Sequence, residues 1–207
     1  MPRSSLAQLA PLPRAFFNRD PRIVGRELLG KVLLRREGRA TLAGRIVECE
    51  AYLGADDAAA HAAAGKTPRN AVLFGPPGYA YVYFIYGNHY CLNVSCLPEG
   101  IGSGILFRAL EPIAGLERMA ANRQLEPSQL RLLTSGPGRL AEALGVTRDR
   151  DNGKDLVSPV SDLRIVDDGI GTVEVRETPR IGITKAAELP LRYVVAGSPF
   201  VSGKRSL

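Results

Sequence analysis

The amino-acid sequence predicts an α+β fold, a single compact domain around a mainly antiparallel β-sheet flanked by helices. Three observations predict it. Strand-length runs of aromatic, aliphatic and β-branched residues recur along the chain, separated by Gly, Pro and Asp turns. The longest, residues 79–97, is interrupted by Gly87-Asn88, two residues able to take positive φ, which marks a protruding β-hairpin. Short helical stretches are dispersed among the strands, and no repeat, low-complexity tract or linker divides the chain.

From the N-terminus, residues 1–15 read as a loose arm rich in Pro, Ser and Arg. Asp20-Pro21 starts a helix, because Asp caps free amides and Pro fits the first turn. Ile23, Val24, Leu28 and Leu29 give that helix an apolar stripe, and Gly30 ends it. KVLLRR is expected as a strand, Glu37-Gly38-Arg39 as a turn and Thr41–Gly54 as a longer strand. A loop runs from Ala55 to Gly78, its Ala-rich part suited to one or two helical turns. ILFRAL (105–110) reads as a strand and Pro112 as the start of a helix carrying Leu116, Met119 and Ala120. Ser135-Gly136-Pro137-Gly138 leads into a helix over RLAEAL and could offer its amides to a phosphate. LRIV and TVEV read as short strands. The domain is expected to span 16–203, with 204–207 as a tail.

A chain of 207 residues buries roughly 70% of its unfolded surface, so the core needs neither disulfide nor metal. No stretch approaches the roughly 18 apolar residues of a membrane span. The start of the chain, broken by prolines, has no apolar run of signal-peptide length, and a cytosolic protein without membrane contact is expected. Lys and Arg outnumber Asp and Glu by 27 to 21, a net charge of +6 that suits a polyanionic partner such as nucleic acid. Cys49, Cys91 and Cys96 cannot all pair, which fits a reducing compartment. With His61 and His89 they raise the question of zinc. No CxxC pair exists, however, and the cysteines lie in or beside apolar runs, so buried small side chains and no metal are expected.

In GRIVECEAYLG (44–54) strand alternation puts Val47, Cys49, Ala51 and Leu53 on one face, and Glu48, Glu50 and Tyr52 on the other. Two carboxylates and a phenol in one row, followed by His61, make a candidate catalytic edge; the plainer alternative is a half-exposed strand whose acids face water. Five of the seven tyrosines, Tyr79, Tyr81, Tyr83, Tyr86 and Tyr90, crowd the hairpin. A two-residue Gly87-Asn88 turn would set Tyr86 opposite His89 at the tip, where an exposed aromatic serves a partner as a wedge. Asn93 is either a satisfied core amide or a reader of a ligand edge. Arg108 interrupts an apolar strand and needs an acidic partner, for which Glu50 is suited.

Together FFNRDPRIVGRELLG, GRIVECEAYLG, DDAAAHAAAGKTPRN, YVYFIYGNHYCLNVS and ILFRALEP, with SGPGRL and LRYVVAGSPFVS, resemble the alkyladenine (3-methyladenine) DNA glycosylase family. The likeness covers most of the chain; residues 145–178 carry little of it. It implies a curved antiparallel sheet, no metal or organic cofactor, and double-stranded DNA containing damaged purines as partner. By this resemblance Glu50 matches the acid that activates water and Arg108 the arginine beside that water. Tyr52, His61 and Tyr83 match the pocket around the flipped base, Asn93 the amide that discourages guanine, and Tyr86 the intercalating wedge. Asn88 departs from the bulky apolar residue of animal members. A two-residue turn would also pair Tyr83 with Leu92 and turn it away from Tyr86 and Asn93, so a single site requires a bulge or strong twist.

The implied reaction is base flipping followed by hydrolysis of the N-glycosidic bond, leaving an abasic site. Candidate leaving bases are 3-methyladenine, 7-methylguanine, hypoxanthine and ethenoadenine. None of the five lysines, at 31, 66, 154, 185 and 204, is on the Glu50 strand, so a monofunctional enzyme is expected. A monomer without an obligate protein partner suits this role, at the nucleoid of a bacterial-type cell or in a eukaryotic nucleus. Two rivals stand: a non-catalytic nucleic-acid-binding module, and a small-molecule hydrolase or transferase using Glu50 and His61.

Overall fold

A computed structural model describes residues 3–203 apart from Tyr86 and Asn88. The expected tail, 204–207, lies outside the described residues. Among the described residues eight strands form one curled antiparallel sheet: β1 (Val32–Glu37), β2 (Ala40–Tyr52), β3 (Ala80–Ile85), β4 (His89–Ser95), β5 (Gly104–Ala114), β6 (Leu163–Val166), β7 (Val175–Thr178) and β8 (Arg192–Val195). The main order is β3-β4-β5-β2-β1-β6. One edge of β2 serves two partners, β1 along Ala40–Arg45 and β8 along Glu48–Glu50. Shifts of register against β5 fall between Ala43 and Gly44 and on both sides of Glu48. Such irregularities bend a strand and re-aim its side chains.

Among the described residues six α-helices pack around the sheet: α1 (Arg14–Phe17), α2 (Pro21–Leu28), α3 (Leu116–Arg123), α4 (Leu130–Thr134), α5 (Pro137–Ala143) and α6 (Arg148–Asp151). Asp20 caps α2 by accepting from the Arg22 amide, with Pro21 in the first turn. Val24 and Leu28 of α2 enter the main core with Cys49, Ala51, Val82, Leu92, Val94, Ile105 and Phe107. The core therefore occupies one face of the central strands, and the alternate residues of the same strands point to the other.

The structure corrects several expectations. Pro112 lies inside β5 opposite Gly44, and α3 begins only at Leu116, behind Gly115 in the left-handed region. The β2–β5 ladder is irregular beside Pro112, where a residue without an amide hydrogen is tolerated. The Ala-rich part of the 55–78 loop forms successive turns, and a 3-10 helix follows only at Ala71–Phe74. Its Asp57 accepts from the Leu53 and Ala59 amides and pairs with Arg180, which commits the backbone to turns. The strand read at TVEV is displaced to Val175–Thr178. Residues 6–12, read as a loose arm, lie along β6: the Leu12 amide donates to the Ile165 carbonyl, and Leu6 packs with Val32, Leu34 and Val166. The three cysteines are buried and free. Among the described residues no group of His, Cys, Asp and Glu could hold a metal ion, and no helix is long and apolar enough to cross a membrane.

Candidate active site

The face of β3, β4, β5 and β2 opposite the core forms one wall of a cavity of about 610 Å³. That volume is typical of sites that enclose a small molecule, roughly 300–1,000 Å³. The hairpin explains how its side chains converge. Ile85 pairs with His89, Tyr83 with Cys91 and Tyr81 with Asn93. The connection is thus three residues, 86–88, and not the two expected from Gly87-Asn88. One added residue shifts the register by one, which moves every side chain of one strand relative to the other. Tyr81, Tyr83, Ile85, His89, Cys91 and Asn93 consequently share the cavity face. No bulge or unusual twist is needed, and Ile85, not Tyr86, stands opposite His89. Tyr86, the expected wedge, and its neighbour Asn88 lie outside the described residues.

Five of the sequence candidates, Tyr52, His61, Tyr83, Asn93 and Arg108, line this cavity. The His61 ring meets Tyr83 edge-on at 4.5 Å between centroids, and its Nδ1 lies 2.9 Å from the Tyr81 hydroxyl. Burial, helped by the charge of Arg69, pushes the His61 imidazole toward its neutral form. Asn93 donates its amide to the Tyr81 carbonyl at 3.1 Å, which fixes its orientation. Opposing walls come from the Ala59–Ala62 turns, from Ser135–Arg139 and from Ile181–Ile183. In the Ser135–Arg139 segment the Gly136 amide donates to the Arg108 carbonyl and so is not free for a phosphate.

Glu50 stands one layer behind. It has no exposed surface and does not itself line the cavity, which corrects the expectation that the acids of β2 face water. Its partners do line it. Tyr52 donates its hydroxyl to Oε2 at 3.0 Å, the Ile181 amide donates to Oε1 at 2.8 Å, and Arg108 Nη1 lies 3.2 Å from Oε1. Burial raises the Glu50 carboxyl above its ordinary range, and Arg108, the Ile181 amide and Tyr52 offset only part of that effect. Tyr52 is driven up as well, by burial and by the neighbouring Glu50, so its hydroxyl keeps its proton. The expected Glu50–Arg108 pair is present, and Arg108 is shared with Glu48.

Further residues support the site, of which Glu48 alone was visible in the sequence, as the second carboxylate of the β2 row. Glu48 is buried without exposure and held by Arg108, Arg192 and Ser202. Arg192 interrupts LRYVV as Arg108 interrupts ILFRAL, and that signal could have found it. Arg180 grips Asp57 with two bonds of 2.6 and 2.8 Å and lies 4.7 Å over the Tyr52 ring. It also donates to the Ala51 carbonyl, fixing the segment whose next residue, Ile181, bonds Glu50.

An aromatic-walled cavity, backed by a cation-paired acid in a basic protein, defines the class: an enzyme that handles a flat ring within a polyanion. Comparison with known proteins makes this particular. The model of the family described as methylpurine-DNA glycosylase (MPG) matches residues 15–199. A protein of Koribacter versatilis named "Putative 3-methyladenine DNA glycosylase" is 90% identical over all 207 residues, covering 100% of both chains. Proteins of the same name from Burkholderia lata and Methanoculleus marisnigri are 51% and 48% identical. These alignments cover 94% and 92% of this chain, and 92% and 98% of the relatives. The chain belongs to the methylpurine-DNA glycosylase family. It is a DNA glycosylase, a hydrolase of N-glycosyl bonds that serves the repair of alkylated bases.

Proposed function

We propose that the enzyme flips an alkylated purine nucleotide into the 610 Å³ cavity and hydrolyses its bond to the sugar with water activated by Glu50. The observation that carries this reading is the placement of Glu50 directly behind Tyr52 and Arg108, two side chains of the cavity wall. The base lies among Tyr52, Tyr83 and His61, and the electron-rich tyrosine rings attract the positive charge of 3-methyladenine or 7-methylguanine. Asn93 reads its edge, Tyr86 fills the vacated stack, and the basic surplus holds phosphates of duplex DNA without reading sequence.

As the glycosidic bond breaks, its electron pair leaves with the base and neutralises the cationic ring. The sugar becomes oxocarbenium-like, and the oxygen of a water admitted beside Arg108 bonds C1′. Glu50 takes the proton of that water. Among the described residues its Oε2 has the Tyr52 hydroxyl as its one partner, which leaves a lone pair for this purpose. Since Glu50 is closed off in the free protein, the Tyr52 hydroxyl moves aside when the nucleotide enters. Hypoxanthine and ethenoadenine, being neutral, rely on hydrogen bonding, with His61 as donor. Lys31 and Lys154 are engaged by carboxylates, and no lysine among the described residues lines the cavity, which favours hydrolysis over Schiff-base chemistry.

We further propose a monomer that acts on chromosomal DNA in the cytoplasm without a protein partner. Base release from duplex oligonucleotides bearing each lesion tests the reading. Free methylated purine with an abasic, uncleaved strand is the expected product. Borohydride trapping of a protein–DNA adduct, or no affinity for DNA at low salt, would overturn it.

A further inference from the structure

Glu48 has no part in the reaction just described, yet it is among the most completely engaged carboxylates of the molecule. Its Oε1 accepts from Arg108 Nε at 2.9 Å, Arg192 Nε at 2.7 Å and Ser202 Oγ at 2.9 Å. Its Oε2 accepts from the Ser202 amide at 2.6 Å. The partners come from β5, from β8 and from the segment beyond β8. Arg108 and Ser202 both line the cavity. We propose that Glu48 is a positioning residue: its buried carboxylate ties Arg108, Arg192 and Ser202 into one frame and so fixes where Arg108 stands beside Glu50. The inference rests on the reading of Glu50 as the base.

The geometry of a guanidinium gives the physical reason. Its five N–H groups form a rigid planar fork. With Nε held by Glu48, the plane of Arg108 has little freedom, and Nη1 is delivered to 3.2 Å from Glu50. Arg108 Nη2 lies 3.4 Å from Ser202 Oγ, a further restraint on that plane. The charges also balance across the frame. Arg192 answers Glu48, and Arg108 is shared between Glu48 and Glu50. The other groups facing Glu50 are Tyr52 on its own strand, the Ile181 amide, and Arg180, whose charge is matched by Asp57.

The test is single-turnover base release by Glu48→Gln and Ser202→Ala across pH, with binding to abasic duplex DNA measured alongside. Glutamine at 48 keeps one acceptor but turns a donor toward the Ser202 amide and removes a negative charge. Release by Glu48→Gln is expected to fall about 10- to 100-fold, the scale of a misplacement of order 1 Å, with abasic-DNA affinity retained. Arg108 lowers the Glu50 carboxyl by more than Glu48 raises it, so displacing Arg108 should move the acid limb of the rate profile to higher pH. A purely structural loosening would not move that limb. Ser202→Ala, which keeps the amide bond, should lose only a few-fold. Wild-type release by a folded Glu48→Gln, or rate and affinity falling together with an unmoved limb, overturns the proposal. If Glu48→Gln does not fold, an unchanged rate in Ser202→Ala does so. Glu50→Gln separates the two ideas: if it releases base normally, the reading of the site fails. If it is inactive while Glu48→Gln behaves as wild type, only the positioning role fails.

Discussion

Two charge clusters, each built on a fully buried carboxylate, sit on the same sheet and behave in opposite ways. On β1, Arg35 forms a two-pronged pair with Asp151 at 2.9 and 2.7 Å, both side chains fully buried. Lys154 bridges Asp151 and Asp162, and Arg150 reaches Asp162 as well. Burial works against the charge of Asp162, but Lys154, Arg35 and Arg150 outweigh it and hold the carboxyl well below its ordinary range. None of these residues lines the cavity. At the cavity the balance is reversed: Glu50 shares one arginine with Glu48, and burial wins, raising its carboxyl. Carboxylates surrounded by cations are fixed as ions and support the fold. A carboxylate with too few cations, beside a cavity, remains ready to take a proton.

The comparison breaks most forcefully at Asp151. Asp151→Asn removes the fully buried carboxylate that grips Arg35 with both oxygens, leaves the guanidinium only its Asp162 contact at 3.0 Å, and should cost about 3–5 kcal/mol in denaturant unfolding. Base release per folded molecule should not change. A matching loss of release would mean that the clusters are not separate. Gly102→Ala acts on the cavity side. A Cβ there meets Phe74 Cζ at 2.5 Å and Ala62 Cβ at 2.7 Å, so overpacking should cost about 1–3 kcal/mol. Unlike Asp151→Asn, it should also weaken retention of the flipped base, seen as reduced affinity for lesion-bearing over undamaged DNA.

The smallest effect in energy, and the sharpest in kind, comes from pH. In the proposed reaction the deprotonated form of Glu50 is the base, and its raised carboxyl reclaims a proton at higher pH than an ordinary glutamate. Activity should therefore fade first as pH drops from neutral. Protonation of Glu50 itself relieves a buried charge and does not unfold the protein. Asp162 is depressed, so its support of the fold is complete above the ordinary aspartate value and fades as pH falls from there toward its lowered value. A rate profile beside acid-unfolding curves should show inactive, folded protein in between. Simultaneous loss of both would erase the distinction.

Much of this was legible in the sequence, and the failures have physical causes. Period-two alternation placed Glu48, Glu50 and Tyr52 on one face, and Arg108 inside an apolar strand announced a buried acid partner. Whether that face was wet could not be read from β2. The groups that cover it, Ile181, Arg192 and Ser202, lie more than 130 residues away in the chain. The hairpin was evident from its tyrosines, yet its loop length was not, because Gly87-Asn88 suits a two-residue turn as well as the three-residue connection that forms. Pro112 misled because proline commonly opens helices, and a register shift in the partner strand leaves no local mark.

The central claim is that the Glu50 carboxylate performs the hydrolysis. Single-turnover release of 7-methylguanine from duplex DNA by Glu50→Gln, with affinity for an abasic duplex measured in parallel, tests it most directly. Glutamine is isosteric and cannot take a proton from water, so release should fall about 100- to 10,000-fold while abasic-DNA binding persists. Release within a few-fold of the unaltered enzyme would contradict the account.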